Sequence, residues 1–178
     1  MSARLFILAL MCAAGLTRAA SAQTVPLVAD LENHLVAITT GFTGTNVLLF
    51  GATDGPGDVV ILVRGPGEDI TLRRKERFGP IWANAESVEL RDVPSFYSVA
   101  SNGEPEDFAS FRLRERYQIG LENLRLTFED QRLSADVQSE YRDALLRLNQ
   151  DRNLYNAEIG RVSLLANRLF RTKQNFPA

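Results

Sequence analysis

His34 is the only histidine in the chain, which limits what imidazole chemistry is open to it. A Ser-His-Asp triad would have to use it, and a zinc site would have to complete it with carboxylates alone. No partner pattern surrounds His34, which directly precedes a run of strand character, so a surface or strand-edge histidine is expected. Carboxylates occur as neighbours, Glu68 with Asp69 and Glu129 with Asp130, in stretches read as loops. No Asp-x-Asp-x-Asp-Gly calcium loop is present. Acid/base catalysis therefore gains no support, and the chain is expected not to be an enzyme.

Two glycine-rich stretches could present backbone N–H groups to an anion. The first, Gly41-Phe42-Thr43-Gly44-Thr45, lacks the Lys-Ser or Lys-Thr ending and the following helix of a phosphate loop, and Asn46 to Phe50 continue as strand. The second, Gly65-Pro66-Gly67, has Ile70 where a dinucleotide fingerprint needs its third glycine. Both read as turns, and no cofactor is expected. The one concentration of positive charge is Arg73-Arg74-Lys75 with Arg77, and Arg64 lies across the turn from it. These five residues are the candidate contact for an anion, for lipid head groups or for a partner. Strand alternation sends Arg73 and Lys75 one way and Arg74 the other, and Glu76 interrupts the run, as in a solvated edge strand. Trp82, the sole tryptophan, is expected as the large aromatic at the centre of the core.

The compartment is more legible than the chemistry. Residues 1–22 read as a secretory signal, with Arg4 at its start, an apolar stretch over 5–16 and Ala20-Ser21-Ala22 for cleavage. The apolar stretch is about 12 residues, short of the roughly 20 a spanning helix needs. Cleavage before Gln23 would remove Met1, Met11 and Cys12, which are all the sulfur in the sequence. Disulfides, thiol nucleophiles, thiolate zinc and blue copper would then be excluded. A formal charge of −2, from 20 Lys and Arg against 22 Asp and Glu, offers no basic field for nucleic acid.

The elements that must position any site fall into two groups, strands first and helices second. Short β-branched or aromatic runs at 35–40, 47–52, 59–64, 70–75, 81–84, 87–90 and 96–100 are separated by Gly, Pro, Asp and Asn. That spacing predicts a mainly β fold, an Ig-like β-sandwich with one or two added helices. Val59-Val60-Ile61-Leu62-Val63 is continuously apolar, as in a central strand covered on both faces. A helical segment is expected over about 105–155. Its first part starts at Pro105, with Phe108, Phe111, Glu115 and Ile119 at helical spacing. Its stronger part runs over 134–155, capped by Ser134, with Val137, Tyr141, Leu145 and Leu148 on one face and Asp143 placed to pair with Arg147. Arg142, Arg147, Asn149, Asp151 and Arg152 are expected to face water. Residues 162–176 read as extended again, with Lys173-Gln174-Asn175 more polar than an alternating strand.

Several stretches together resemble a known family. They are His34-Leu35-Val36-Ala37-Ile38-Thr39-Thr40-Gly41-Phe42-Thr43-Gly44-Thr45, Leu48-Leu49-Phe50-Gly51-Ala52, Gly55-Pro56-Gly57-Asp58-Val59-Val60, Val63-Arg64-Gly65-Pro66 and Arg73-Arg74-Lys75-Glu76-Arg77. Asp92-Val93-Pro94-Ser95, Gln118-Ile119-Gly120-Leu121-Glu122-Asn123-Leu124-Arg125-Leu126, Arg142-Asp143-Ala144-Leu145 and Arg168-Leu169-Phe170-Arg171 agree. Over essentially the whole body the chain is similar to an uncharacterised transmembrane-protein family of alphaproteobacteria. The resemblance implies a signal peptide, an exported β-rich domain and a C-terminal membrane anchor, with no catalytic residues to carry over. Relatives continue past Ala178 with a strand pair and then the anchor, so the sandwich is expected to be incomplete at its C-terminal end.

The expectation is thus a signal peptide over 1–22 and one domain over 23–178, in the periplasm and associated with the inner membrane. It would act without catalysis, as an accessory domain binding an inner-membrane or periplasmic protein. A small-anion-binding protein using Arg64, Arg73, Arg74 and the 41–45 loop is the alternative, and neither metal nor nucleic acid is expected.

Overall fold

A computed structural model describes residues 27–33 and 43–177. The signal segment, His34, the strand expected at 35–40 and the first two residues of the 41–45 loop lie outside the described residues. The fold is mainly β, with ten strands in three sheets and three helices among the described residues.

The first sheet has the order β1-β2-β10-β9, built from β1 (Leu27–Leu31), β2 (Thr45–Thr53), β9 (Ser163–Leu165) and β10 (Leu169–Phe176), all antiparallel. Along β10 burial alternates strictly: Phe170, Thr172 and Gln174 point inward, while Arg171, Lys173 and Asn175 point out. The polar character expected to spoil this strand is therefore sorted by its pleat. The two inward polar groups are bonded: Thr172 Oγ1 donates to the Arg161 carbonyl at 3.0 Å, and Ser98 Oγ lies 3.1 Å from Gln174 Oε1. Gly44 precedes β2 with φ +97°, and a Cβ there would stand 2.7 Å from the Phe176 carbonyl oxygen. Glycine is needed at that position on both counts.

The second sheet has the order β3-β6-β8, from β3 (Val60–Arg64), β6 (Tyr97–Ser101) and β8 (Gly160–Arg161). Every residue of β6 is buried. The central strand is therefore β6, whereas the apolar run at 59–63 pairs only with β6 among the described residues, with Val59 buried and 60–63 half-buried. Its continuous apolarity reflects partial cover on both faces. One side of the β6 region packs with Ile119, Leu124 and Tyr155, and the other meets Val162, between β8 and β9, and Phe170 of β10.

The third sheet is β4 (Gly67–Phe78), β5 (Ile81–Pro94) and the two-residue β7 (Thr127–Phe128). The runs at 81–84 and 87–90 are one 14-residue strand. The short helices α1 (Pro105–Phe108) and α2 (Phe111–Tyr117) are separated where Ser110 caps α2, its hydroxyl accepting from the Leu113 N–H. The long helix α3 (Ala135–Asp151) starts at Ser134 as expected, with its hydroxyl accepting from the Val137 N–H. Tyr141 and Leu145 of α3 pack on Val88, Leu90 and Val93 of β5, with Ile70 and Leu72 of β4 alongside. Arg142 does not face water as expected. Its guanidinium donates to the carbonyls of Leu124, Leu121 and Glu122, tying α3 to the 3-10 turn Leu121–Asn123. Leu148, expected inward, is exposed.

Tyr97 and Tyr155 join these units. Their rings lie 6.0 Å apart, both almost fully buried. Tyr97 Oη donates to the Gln118 carbonyl at the end of α2, and Tyr155 Oη donates to the Pro94 carbonyl at the end of β5, each at 2.6 Å. Backbone bonds from Tyr97 N–H to the Leu154 carbonyl and from Asn156 N–H to the Tyr97 carbonyl complete the junction. Burial pushes both phenols up to about 12. Because the folded value lies above the unfolded value of about 10, their contribution is whole below pH about 10 and is lost as pH rises through about 12. Urea denaturation from pH 9 to 12 should show the midpoint falling over that window, and less steeply in Tyr155→Phe. At neutral pH the same substitution should cost about 1–3 kcal/mol, since it strands the buried Pro94 carbonyl.

Candidate functional site

The hairpin of β4 and β5 outruns the domain that carries it. Its strands are 12 and 14 residues long, and they close through Gly79-Pro80 with Phe78 opposite Ile81. Gly79 takes φ +62° at the first central position, as a type II′ turn requires, and Pro80 fills the second, where no ladder donor is needed. Arg77 Nε donates to the Gly79 carbonyl at 2.9 Å and braces the turn. At the base of the projecting part the register slips: Arg74 faces Glu86, but Lys75 faces Asn84, leaving Ala85 as the extra residue of a bulge. Bulges bend the strand and sharpen its twist.

Beyond the bulge no element covers the hairpin. Residues 75–87 are all exposed. β4 extends four residues past Arg74, an arm of about 13 Å at strand rise. Its end carries three large apolar side chains, Phe78, Ile81 and Trp82, at 58%, 66% and 65% exposure. The expectation that Trp82 fills the core is thereby overturned. The core of this sheet is supplied by α3, whose contact ends at the level of Arg74, so side chains farther along the hairpin have nothing to pack on.

The five candidate cations divide by strand face and by sheet. Arg74 turns toward α3: it pairs with Glu140, lies 3.5 Å from Glu86 and sits over the Tyr141 ring at 5.5 Å from the centroid. It latches the arm to the helix. Arg73, Lys75 and Arg77 fall on the opposite face, and their cross-strand partners are Ser87, Asn84 and Trp82. That face therefore presents three cations and the indole with no carboxylate directly opposite. Glu76 lies on the other face, across from Ala83. Arg64 ends β3 in a different sheet. The structure thus brings Arg73, Lys75 and Arg77 together with Trp82, and leaves Arg64 and Arg74 out of that group.

Acidic groups gather at the root of the arm. Arg91 pairs with Glu129, and a hydrogen bond between Glu129 and Glu89 raises the Glu89 carboxyl above its usual range while lowering that of Glu129. Such a pair shares a proton more readily than two isolated carboxyls would. Among the described residues no cluster of three or more His, Cys, Asp or Glu could hold a metal. An apolar cavity of about 740 Å³ lies between β2, β3 and β10, walled by Val47, Leu49, Ile61, Val63, Phe96 and Phe176.

The exposed tip escaped the sequence reading because its residue types are those of a core. The signal present was Phe78-Gly79-Pro80-Ile81, a two-residue turn flanked by strand formers, which marks one continuous hairpin where two separate strands were expected.

A model of the family described as "Putative transmembrane protein (Alph_Pro_TM)" matches residues 26–178. The chain belongs to this family. Its name points to alphaproteobacteria and to a membrane, in agreement with the resemblance read from the sequence. No curated protein and no solved structure matches the chain. No helix among the described residues is long and apolar enough to cross a membrane.

Two outcomes follow from the arm's root. Arg74→Met should cost about 1 kcal/mol in urea denaturation, the sum of part-exposed ion pairs and one cation–π contact, and should speed hydrogen exchange over residues 75–87. Glu89→Gln should raise the melting temperature at pH 7, because it removes the ionisation that Glu129 opposes. The gain should vanish as pH falls through the raised Glu89 value, where the wild type is already protonated.

Proposed function

We propose that this protein is a non-catalytic accessory domain of the cell envelope that works by contact. In this reading it is exported to the periplasm, stays associated with the inner membrane, and engages a component of that membrane or its periplasmic face through the β4–β5 arm. The observation that carries the reading is the arm itself: residues 75–87 are exposed throughout and end in Phe78, Ile81 and Trp82. Exposed apolar groups gathered at one projecting point, with cations beside them, are a common mark of an interaction site. The family's name supports a membrane setting, and the amino-terminal sequence supports export.

Site-specific photo-crosslinking in intact cells tests this. A benzophenone amino acid at position 78 should give an ultraviolet-dependent adduct that fractionates with membranes. The same group at position 111, also exposed but on α2, should give none. Equal labelling from both sites, or none from position 78, would refute the arm as the contact element.

A further inference from the structure

We infer that the arm docks on an anionic phospholipid surface. This rests on the contact reading above and names the partner as the lipid leaflet itself. Three observations converge on it. First, Phe78, Ile81 and Trp82 flank a closed two-residue turn, so the far end of the arm leads with apolar side chains and reaches the head-group boundary, where its outer strand edges stay hydrated. Second, the sole tryptophan stands directly across from Arg77 on the face that also carries Lys75 and Arg73. An indole at head-group depth with cations reaching phosphate is the arrangement bilayer interfaces favour. Third, charge is sorted by position. Among the described residues Arg73 and Lys75 have no ion pair, and Glu76 is turned to the opposite face. Glu86 is held by Arg74, and Glu89 and Glu129 lie back at the root.

This sorting argues for lipid over a protein groove. A protein partner would be matched by a mixed pattern of donors and acceptors, whereas this face offers cations, one indole and two small polar residues, Asn84 and Ser87. A flat field of phosphates is complementary to that. The arm meets the leaflet tip first. Trp82 on one face of the hairpin and Phe78 with Ile81 on the other enter the boundary together, and Arg77, Lys75 and Arg73 follow at increasing height along Trp82's face, with Glu76 set back on the opposite face.

The single tryptophan makes the test direct. The full chain is titrated with vesicles of phosphatidylglycerol and phosphatidylethanolamine, and with vesicles of phosphatidylcholine, while Trp82 emission is followed. Emission should shift to the blue with the anionic vesicles, be quenched by lipids brominated on their acyl chains, and reverse in high salt. Phosphatidylcholine and inorganic phosphate should leave it unchanged. Arg73→Gln/Lys75→Gln/Arg77→Gln should weaken partitioning by about a hundredfold, at roughly fivefold per cation near an anionic surface. Phe78→Ser/Ile81→Ser should abolish acyl-chain quenching. These side chains are exposed, so the variants should fold, which circular dichroism checks. An unshifted emission, an equal shift with neutral lipid, or a blue shift that rises with protein concentration before vesicles are added would overturn the inference. If vesicles produce no shift while position 78 still crosslinks a specific membrane protein in cells, the lipid assignment falls and the contact reading stands. If neither occurs, both fall.

Discussion

The buried pair of Tyr97 and Tyr155 is the constraint on which the rest of the structure depends. Both rings belong to the cluster of Val99, Ile119 and Leu124, and their hydroxyls reach out of it to carbonyls of neighbouring units. Tyr97 sits in the fully buried strand β6 and reaches the end of α2, while Tyr155 follows α3 and holds the end of β5 through Pro94. A phenol suits this task because its ring fills volume and its hydroxyl satisfies a carbonyl that would otherwise be buried without a partner. With three sheets of three or four strands each, no single sheet could bury enough surface alone. The pair ties the second sheet to the third, and Phe170 with Val162 and Ala100 adds the first.

The arm depends on that junction at one remove. β5 enters the junction at Pro94 and leaves the domain at its other end, so its carboxy-terminal half is clamped while its amino-terminal half is free. Arg74 supplies the second clamp, joining β4 to α3 through Glu140 and the Tyr141 ring. Beyond it the hairpin has only its own ladder and turn. Leaving Phe78, Ile81 and Trp82 in water forgoes the stabilisation that burying them would give, about 1.5–3 kcal/mol for a side chain of the size of Phe or Ile. A domain with small clusters in three places keeps such residues outside at a real thermodynamic cost. Lys75 and Arg77 on the outer strand limit pairing with further strands, since charge on an edge discourages it.

Much of the fold was legible because it rests on local patterns. Ser134 as a cap, Pro105 as a helix start, the inward face of Val137, Tyr141 and Leu145, and the mainly β character all follow from periodicity and turn chemistry. β1, with all five residues exposed, carried no alternation to detect. The errors share one cause. For Trp82, the 59–63 run, Arg142 and Leu148, residue type or helical spacing points one way, yet burial is set by what lies across from them. Arg142 is held inward by three carbonyls of a turn some twenty residues earlier, a relation that no spacing announces. The candidate site was half legible. Strand alternation correctly set Arg74 apart from Arg73 and Lys75, but nothing local could show that Arg64 lies in another sheet.

Residue order alone determined the mainly β character, the caps, the start of the long helix and the family, because each of these is written in neighbouring or periodically spaced residues. Only the tertiary structure decided which apolar segments are covered. Burial depends on where α3 ends along the hairpin, on how the second and third sheets meet at Tyr97 and Tyr155, and on how the first packs on β6 through Phe170. These are relations between segments distant in the chain, and they turn the same residue types into a core at Leu90 and an exposed contact tip at Trp82.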